Sequence, residues 1–248
     1  MLSRRAFSLS LAAASQALAA DPADFSLTEA RALLRRRKLT PTELVEACLR
    51  RIDKLNPSLH AFITVTAEQA RAQARALKPS NTPLHGIPIA LKDLYDTAGI
   101  RTTAASRQWA DRVPSHDAAV VARLKSAGAI LIGKANMDEF AYNYTAETSA
   151  FEVARNPWNP ACTPGGSSGG SAIAVAAGMC LGALGSDTGG SIRFPASVCG
   201  IAGFKPSYGL LPTSGAATLA WSLDTVGPMT RTANDAALMM AAMGAPIQ

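Results

Sequence analysis

Three short apolar runs constrain this chain more than any other feature: Ile87 to Leu91, Ala129 to Ile132 and Leu181 to Leu184, set off from their surroundings by Gly and Pro. Continuous apolar runs this short suit strands buried on both faces. Between them lie stretches with helical patterning, Asp117 to Ala127 and Ser171 to Met179. Strands alternating with helices imply an α/β fold built on one large sheet. Only 17% of the residues are charged, against roughly 25% in typical soluble domains, which points to a substantial buried core.

The region before the first run is mostly helical. Leu27, Ala30, Leu33 and Leu34 share one face of a helix over Ser26 to Lys38. Thr40-Pro41-Thr42-Glu43 combines a capping residue, a first-turn proline and a glutamate three positions after the cap, opening a second helix to about Leu55. Asn56-Pro57 is expected to stop it, because a proline pushes the preceding residue out of helical geometry. A short β-rich run, Ala61 to Val65, follows, and Thr66-Ala67-Glu68-Gln69 predicts a capping box opening a third helix to about Leu77.

Residues 1–20, MLSRRAFSLSLAAASQALAA, hold two arginines and no acid, then an Ala/Leu/Ser stretch ending in an A-x-A pattern. They read as an export signal, with Ser3-Arg4-Arg5-Ala6-Phe7 resembling the twin-arginine type. The apolar part, Ala6 to Ala19, is shorter than the roughly 20 residues of a membrane-spanning helix, so the released protein is expected to have no stable membrane association. A periplasmic or otherwise exported location follows, with residues 21–248 as one domain. Without the leader, 24 Lys+Arg become 22 against 18 acids, a net +4. That weak field gives no sign of a nucleic-acid partner, and the densest basic run, Arg35-Arg36-Arg37-Lys38 with Arg31 one turn earlier, reads as a solvated helix face.

Cys48, Cys162, Cys180 and Cys199 show no metal-ligand spacing, so no metal is expected. They read as buried free thiols, although an exported protein could form disulfides in any of three pairings.

Two Gly/Ser clusters carry the chemistry: Pro164-Gly165-Gly166-Ser167-Ser168-Gly169-Gly170-Ser171 before a helical stretch, and Gly185-Ser186-Asp187-Thr188-Gly189-Gly190-Ser191 after an apolar run. Such loops can aim backbone amides at a ligand. Neither matches a phosphate-binding P-loop or a dinucleotide fingerprint, so no nucleotide cofactor is expected. Serine is the candidate nucleophile and needs a base. His60, His85 and His116 all lie outside the clusters, and no G-x-S-x-G elbow supports a histidine triad. Lys92 ends the apolar run from Gly86, where burial would favour its neutral, basic amine. An ordinary strand-end lysine would look the same taken alone.

Gly86-Ile87-Pro88 leading to Lys92-Asp93, the two clusters continuing to Ile192-Arg193, and Gly203-Phe204-Lys205-Pro206 together closely resemble the amidase signature family. Lys92 to Ser167 is 75 positions and Ser167 to Ser191 is 24, the separations expected there. The resemblance runs from about Ser26 to the last residue. It implies a mixed central β-sheet flanked by helices, here lacking its C-terminal part, since members usually run much longer. It also implies Ser191 as the nucleophile, Ser167 beside a cis peptide bond as proton relay, and Lys92 as base for Ser167. The amides of Thr188, Gly189 and Gly190, with that of Ser191, would form the oxyanion hole. No cofactor is implied, and the partner is a small-molecule amide.

Asp187 and Arg193 read as a loop-holding pair, and Ser168, Ser171 and Ser186 as loop hydrogen-bonding residues. Tyr142 and Trp221 suit either a pocket wall or the core. The functional expectation is an exported amidase. The alternatives are the glutamine-hydrolysing subunit of a transfer-RNA-dependent amidotransferase, and a non-catalytic fragment that keeps the fold.

Overall fold

The computed structural model describes residues 21–246; the expected export leader, 1–20, lies outside them. Helix α1 spans Leu27–Arg35 and opens with a reciprocal cap in which Ser26 and Glu29 each take the other's amide. Helix α2, Pro41–Leu59, begins with the expected Thr40–Glu43 box. It does not stop at Asn56-Pro57. The helix runs on to Leu59, because a proline there removes one hydrogen bond near an end that is otherwise secured. His60 closes it in the left-handed region, donating its N–H to Asn56 O at 2.9 Å, while Asn56 Oδ1 accepts from Phe62 N at 2.9 Å.

Strand β1, Phe62–Val65, leads into helix α3, Ala67–Ala76. The predicted cap at Thr66 is absent: its hydroxyl donates to Leu131 O at 2.8 Å in the sheet, and a hydroxyl turned there cannot cap α3. The three apolar runs become β2 (Pro88–Lys92), β3 (Ile130–Ala135) and β4 (Gly182–Asp187), every residue of which is buried. Helices α4 (Ala119–Ser126), α5 (Gly169–Ala176) and α6 (Arg193–Cys199) alternate with them. The short β5 (Ala202–Gly203), then β6 (Thr225–Thr230) and α7 (Ala233–Ala242), complete the described elements.

The sheet order is β1-β3-β2-β4-β6-β5. β2 pairs parallel with β3 and β4, whereas β1, β5 and β6 pair antiparallel with their neighbours, so the sheet is mixed. α5 is apolar and buried from Gly169 to Val175, and it packs across β2, β3, β4 and β6. A helix enclosed on all sides reads as such a uniformly apolar stretch. Its N-terminus and the C-terminal ends of β2 and β4 thereby meet at one place, where ligands of open α/β sheets commonly lie.

Candidate active site

β2 carries Lys92 at its last position, wholly shielded from solvent. Its Nζ donates to Ser167 Oγ at 2.6 Å and to Ser186 Oγ at 2.9 Å. Burial pushes the ammonium down to about 7, against the opposing pull of Asp138, Asp187 and Asp224. The second buried lysine, Lys134 on β3, has a different environment. Its Nζ lies 3.3 Å from Asp93 Oδ1 and donates to Tyr95 O and Thr102 Oγ1, and burial lowers it only to about 8. A carboxylate partner favours the ammonium; Lys92 meets hydroxyls instead.

Ser167 stands in the loop before α5, after a cis peptide bond from Gly166. Its carbonyl accepts from the Asp138 amide at 3.3 Å, and Asp138 in turn accepts from Ala146 N and Thr148 Oγ1. Gly166 is required here, because a β-carbon would collide with the Asp138 carboxylate and the amides of Thr145 and Ala146.

Ser168 joins the two Gly/Ser loops. Its amide donates to Ser191 O at 3.2 Å, while its hydroxyl donates to Ser186 O and accepts from Ser186 N. Ser171 Oγ donates to Leu184 O at 3.1 Å. Both act as the loop-holding residues expected. Ser186 does more, since its hydroxyl is the second partner of Lys92. Its position in the G-S-D-T-G-G-S run does not distinguish it from the other loop serines.

Beyond β4 the chain enters Thr188 to Ser191, anchored at both ends. Asp187 takes the amides of Ile192 and Arg193 and the Arg193 guanidinium, with Nη2 to Oδ1 at 2.9 Å, so the expected pair closes the turn. Thr188 Oγ1 donates to Asp224 Oδ1 at 2.6 Å, and Asp224 also receives the amides of Leu219 and Ala220. Among the described residues, the amides of Thr188, Gly189, Gly190 and Ser191 donate to no group. A row of unsatisfied N–H groups suits an anion or a polarised carbonyl oxygen.

Ser191 lines a cavity of about 460 Å³ with Tyr142, Tyr144, Thr188, Gly189, Leu219 and Leu223. Tyr142 and Trp221 are 79% and 82% exposed, which removes the core-packing alternative for both. Trp221 lies against an adjoining smaller cavity shared with Ser186, Thr188 and Asp224. The three histidines stay away from this cavity: His60 bonds Val153 O, His116 bonds Ser115 Oγ, and His85 lies beside α1.

Among the described residues no cluster of ligating side chains could hold a metal ion, and no helix is long and apolar enough to cross a membrane. The cysteines are free thiols, with Cys48, Cys180 and Cys199 buried. Cys162 is exposed, contrary to the reading of all four as buried, because it sits in the irregular segment between β3 and α5.

Comparison with known proteins places the sequence and the fold in one family. The model of the Amidase family matches residues 43–248. The A-subunit of Glutamyl-tRNA(Gln) amidotransferase from Roseiflexus sp. (strain RS-1) is 51% identical over 220 residues, 87% of this chain and 45% of the relative. The solved structure of the corresponding Thermotoga maritima protein superposes with a TM-score of 0.80 at 42% identity, covering 91% of this chain and 48% of that one. The native peptide amidase of Stenotrophomonas maltophilia superposes at 0.83 with 36% identity, again over 91% of this chain and 48% of that one. The chain spans about half the length of the curated relatives it matches.

Proposed function

The chain belongs to the Amidase family, and on that premise we propose that it cleaves carboxylic or peptide-type amides through an acyl-enzyme formed on Ser191. The observation that carries the proposal is the buried amine of Lys92 held 2.6 Å from Ser167 Oγ. With its proton affinity pushed down to about 7, that amine is neutral in a substantial fraction of molecules at physiological pH.

In this reading Ser191 Oγ attacks the amide carbon as its proton passes to Ser167 Oγ and the Ser167 proton passes to Lys92 Nζ. The oxyanion forms against the amides of Thr188, Gly189, Gly190 and Ser191. One such donor is worth about 3 kcal/mol in serine hydrolases. Collapse breaks the C–N bond, and the proton on Lys92 returns through Ser167 to the departing nitrogen, leaving ammonia or an amine. Water then repeats the sequence on the ester, releasing the acid and restoring Ser191. Ser186, as the second hydroxyl on Nζ, fixes the direction of the amine.

A second reading keeps this chemistry and takes glutamine as the amide, with the ammonia consumed on a partner protein. The 51% identity to the A-subunit of an amidotransferase favours it. Export of the chain through residues 1–20 is part of the first reading and fits the second poorly. One experiment separates them: ammonia release from glutamine and from peptide amides, with and without the other components of an amidotransferase. Release from peptide amides by the chain alone supports the first reading, and partner-dependent release from glutamine supports the second. Unchanged activity in Ser191→Ala would overturn both.

A further inference from the structure

The amidase reading makes no use of the basic end of α1. Arg31 and Arg35 lie one turn apart on that helix, and Arg37 follows with φ at 55°. Together with Thr40, Thr82 and His85 they line a groove of about 500 Å³, a volume within the range of small-molecule sites. Arg51, Arg71, Arg112 and Arg193 each hold a carboxylate. Arg31, Arg35 and Arg37 hold none among the described residues, and no acidic side chain lines the groove.

A second observation lies in the same walls. Arg31 Nε and His85 Nδ1 are both shielded from solvent without a hydrogen-bond partner. Burial and the neighbouring charge of Arg35 together hold the Arg31 guanidinium below its ordinary proton affinity. Attraction to the negative end of α1 accounts for a cation in the last turn, such as Arg35. It gives no reason to desolvate Arg31 one turn earlier beside a like charge. The solvated-face reading therefore holds for Arg36 and Lys38, which stand outside the groove, and not for Arg31.

We propose that this groove binds a small, multiply charged phosphate compound such as a diphosphate, gripped by the guanidinium forks of Arg31, Arg35 and Arg37. Arginine forks match phosphate oxygens two at a time, and three of them suit a ligand with more charge than a single carboxylate carries. The hydroxyls of Thr40 and Thr82 line the same walls and add polar groups to them. A polynucleotide is disfavoured, because the groove presents no aromatic platform on which bases could stack, apart from the imidazole of His85.

The test is calorimetric titration of the 248-residue chain with inorganic pyrophosphate at about 150 mM salt, where weak surface attraction is screened. One saturable site is expected. Arg31→Gln and Arg37→Gln should each weaken it roughly tenfold, the loss of one charge-assisted contact, with the unfolding midpoint unchanged. Arg37 is exposed, so its variant keeps the test informative if Arg31→Gln folds poorly. Absence of saturable binding, equal affinity in both variants and the wild type, or binding of a short RNA without binding of pyrophosphate would each overturn the proposal.

Discussion

Lys92 Nζ lies 2.6 Å from Ser167 Oγ with no carboxylate in hydrogen-bond contact with the amine. In the proposed mechanism this amine is the base, tuned chiefly by burial, and its effect on rate has a definite sign. Protonated Lys92 cannot accept a proton, so amide turnover should rise about tenfold per pH unit below about 7 and level off above it. The kcat/KM profile of the chain on a simple amide measures this. A rate that falls as pH rises through 7 would contradict it.

The same burial shapes stability. Lys92 has its folded value near 7 and its ordinary value at 10.5. Between the two, the unfolded chain carries a proton that the folded chain has released, and where the unfolded state binds more protons stability increases with pH, so the wild-type chain gains stability as pH rises from about 7 toward 10.5. Below about 7 both states hold the proton and the destabilisation is complete. Lys92→Met removes the group, while the other titrating groups stay common to both chains. The stability difference should therefore move toward the wild type by up to about 1.4 kcal/mol per pH unit above neutrality. Denaturant midpoints at pH 7 and pH 9.5 check it; a difference independent of pH contradicts it.

Gly166 and Gly189 lie in the two serine loops and should respond differently to alanine. At Gly166 the added methyl meets the Asp138 carboxylate and two backbone amides, which cannot move without disturbing the bonds to Ala146 and Thr148. A loss of about 1–3 kcal/mol in unfolding free energy is expected. At Gly189 the methyl meets only the Tyr144 side chain, its hydroxyl at 2.6 Å, on a half-exposed ring that can swing away. Stability should stay within about 0.5 kcal/mol, while the narrowed cavity raises KM. Equal destabilisation by the two variants would contradict the packing described.

Much of the fold is legible in the sequence because its central strands are buried on both faces. The runs at β2, β3 and β4 have no competing pattern. β6 is hidden, since Gly227 and Pro228 interrupt Thr225–Thr230, and that sequence reads as a turn until pairing with β4 and β5 is known. The end of α2 is hidden because Asn56 serves both as a helical residue before proline and as a side-chain anchor for Phe62, a contact that periodicity does not register. At the candidate site, loop chemistry joined to family resemblance singles out Lys92, Ser167, Ser191 and the run from Thr188, and the structure puts Lys92 against Ser167 and Ser191 beside Thr188 in one cavity. The roles of Ser186 and Asp224 depend on neighbours far along the chain, 94 positions away for Lys92 to Ser186 and 36 for Thr188 to Asp224. Spacing alone carries no sign of either.

The central claim is that a neutral Lys92, acting through Ser167, activates Ser191. Time-resolved intact mass after treatment with a fluorophosphonate, with peptide mapping of the adduct, tests it most directly. One adduct on the peptide containing Ser191 is expected in the wild type and none in Ser191→Ala. Lys92→Met and Ser167→Ala should react about a hundredfold more slowly or worse, the usual scale of lost general-base assistance. An adduct that survives Ser191→Ala, or labelling of folded Lys92→Met at the wild-type rate, would contradict the claim.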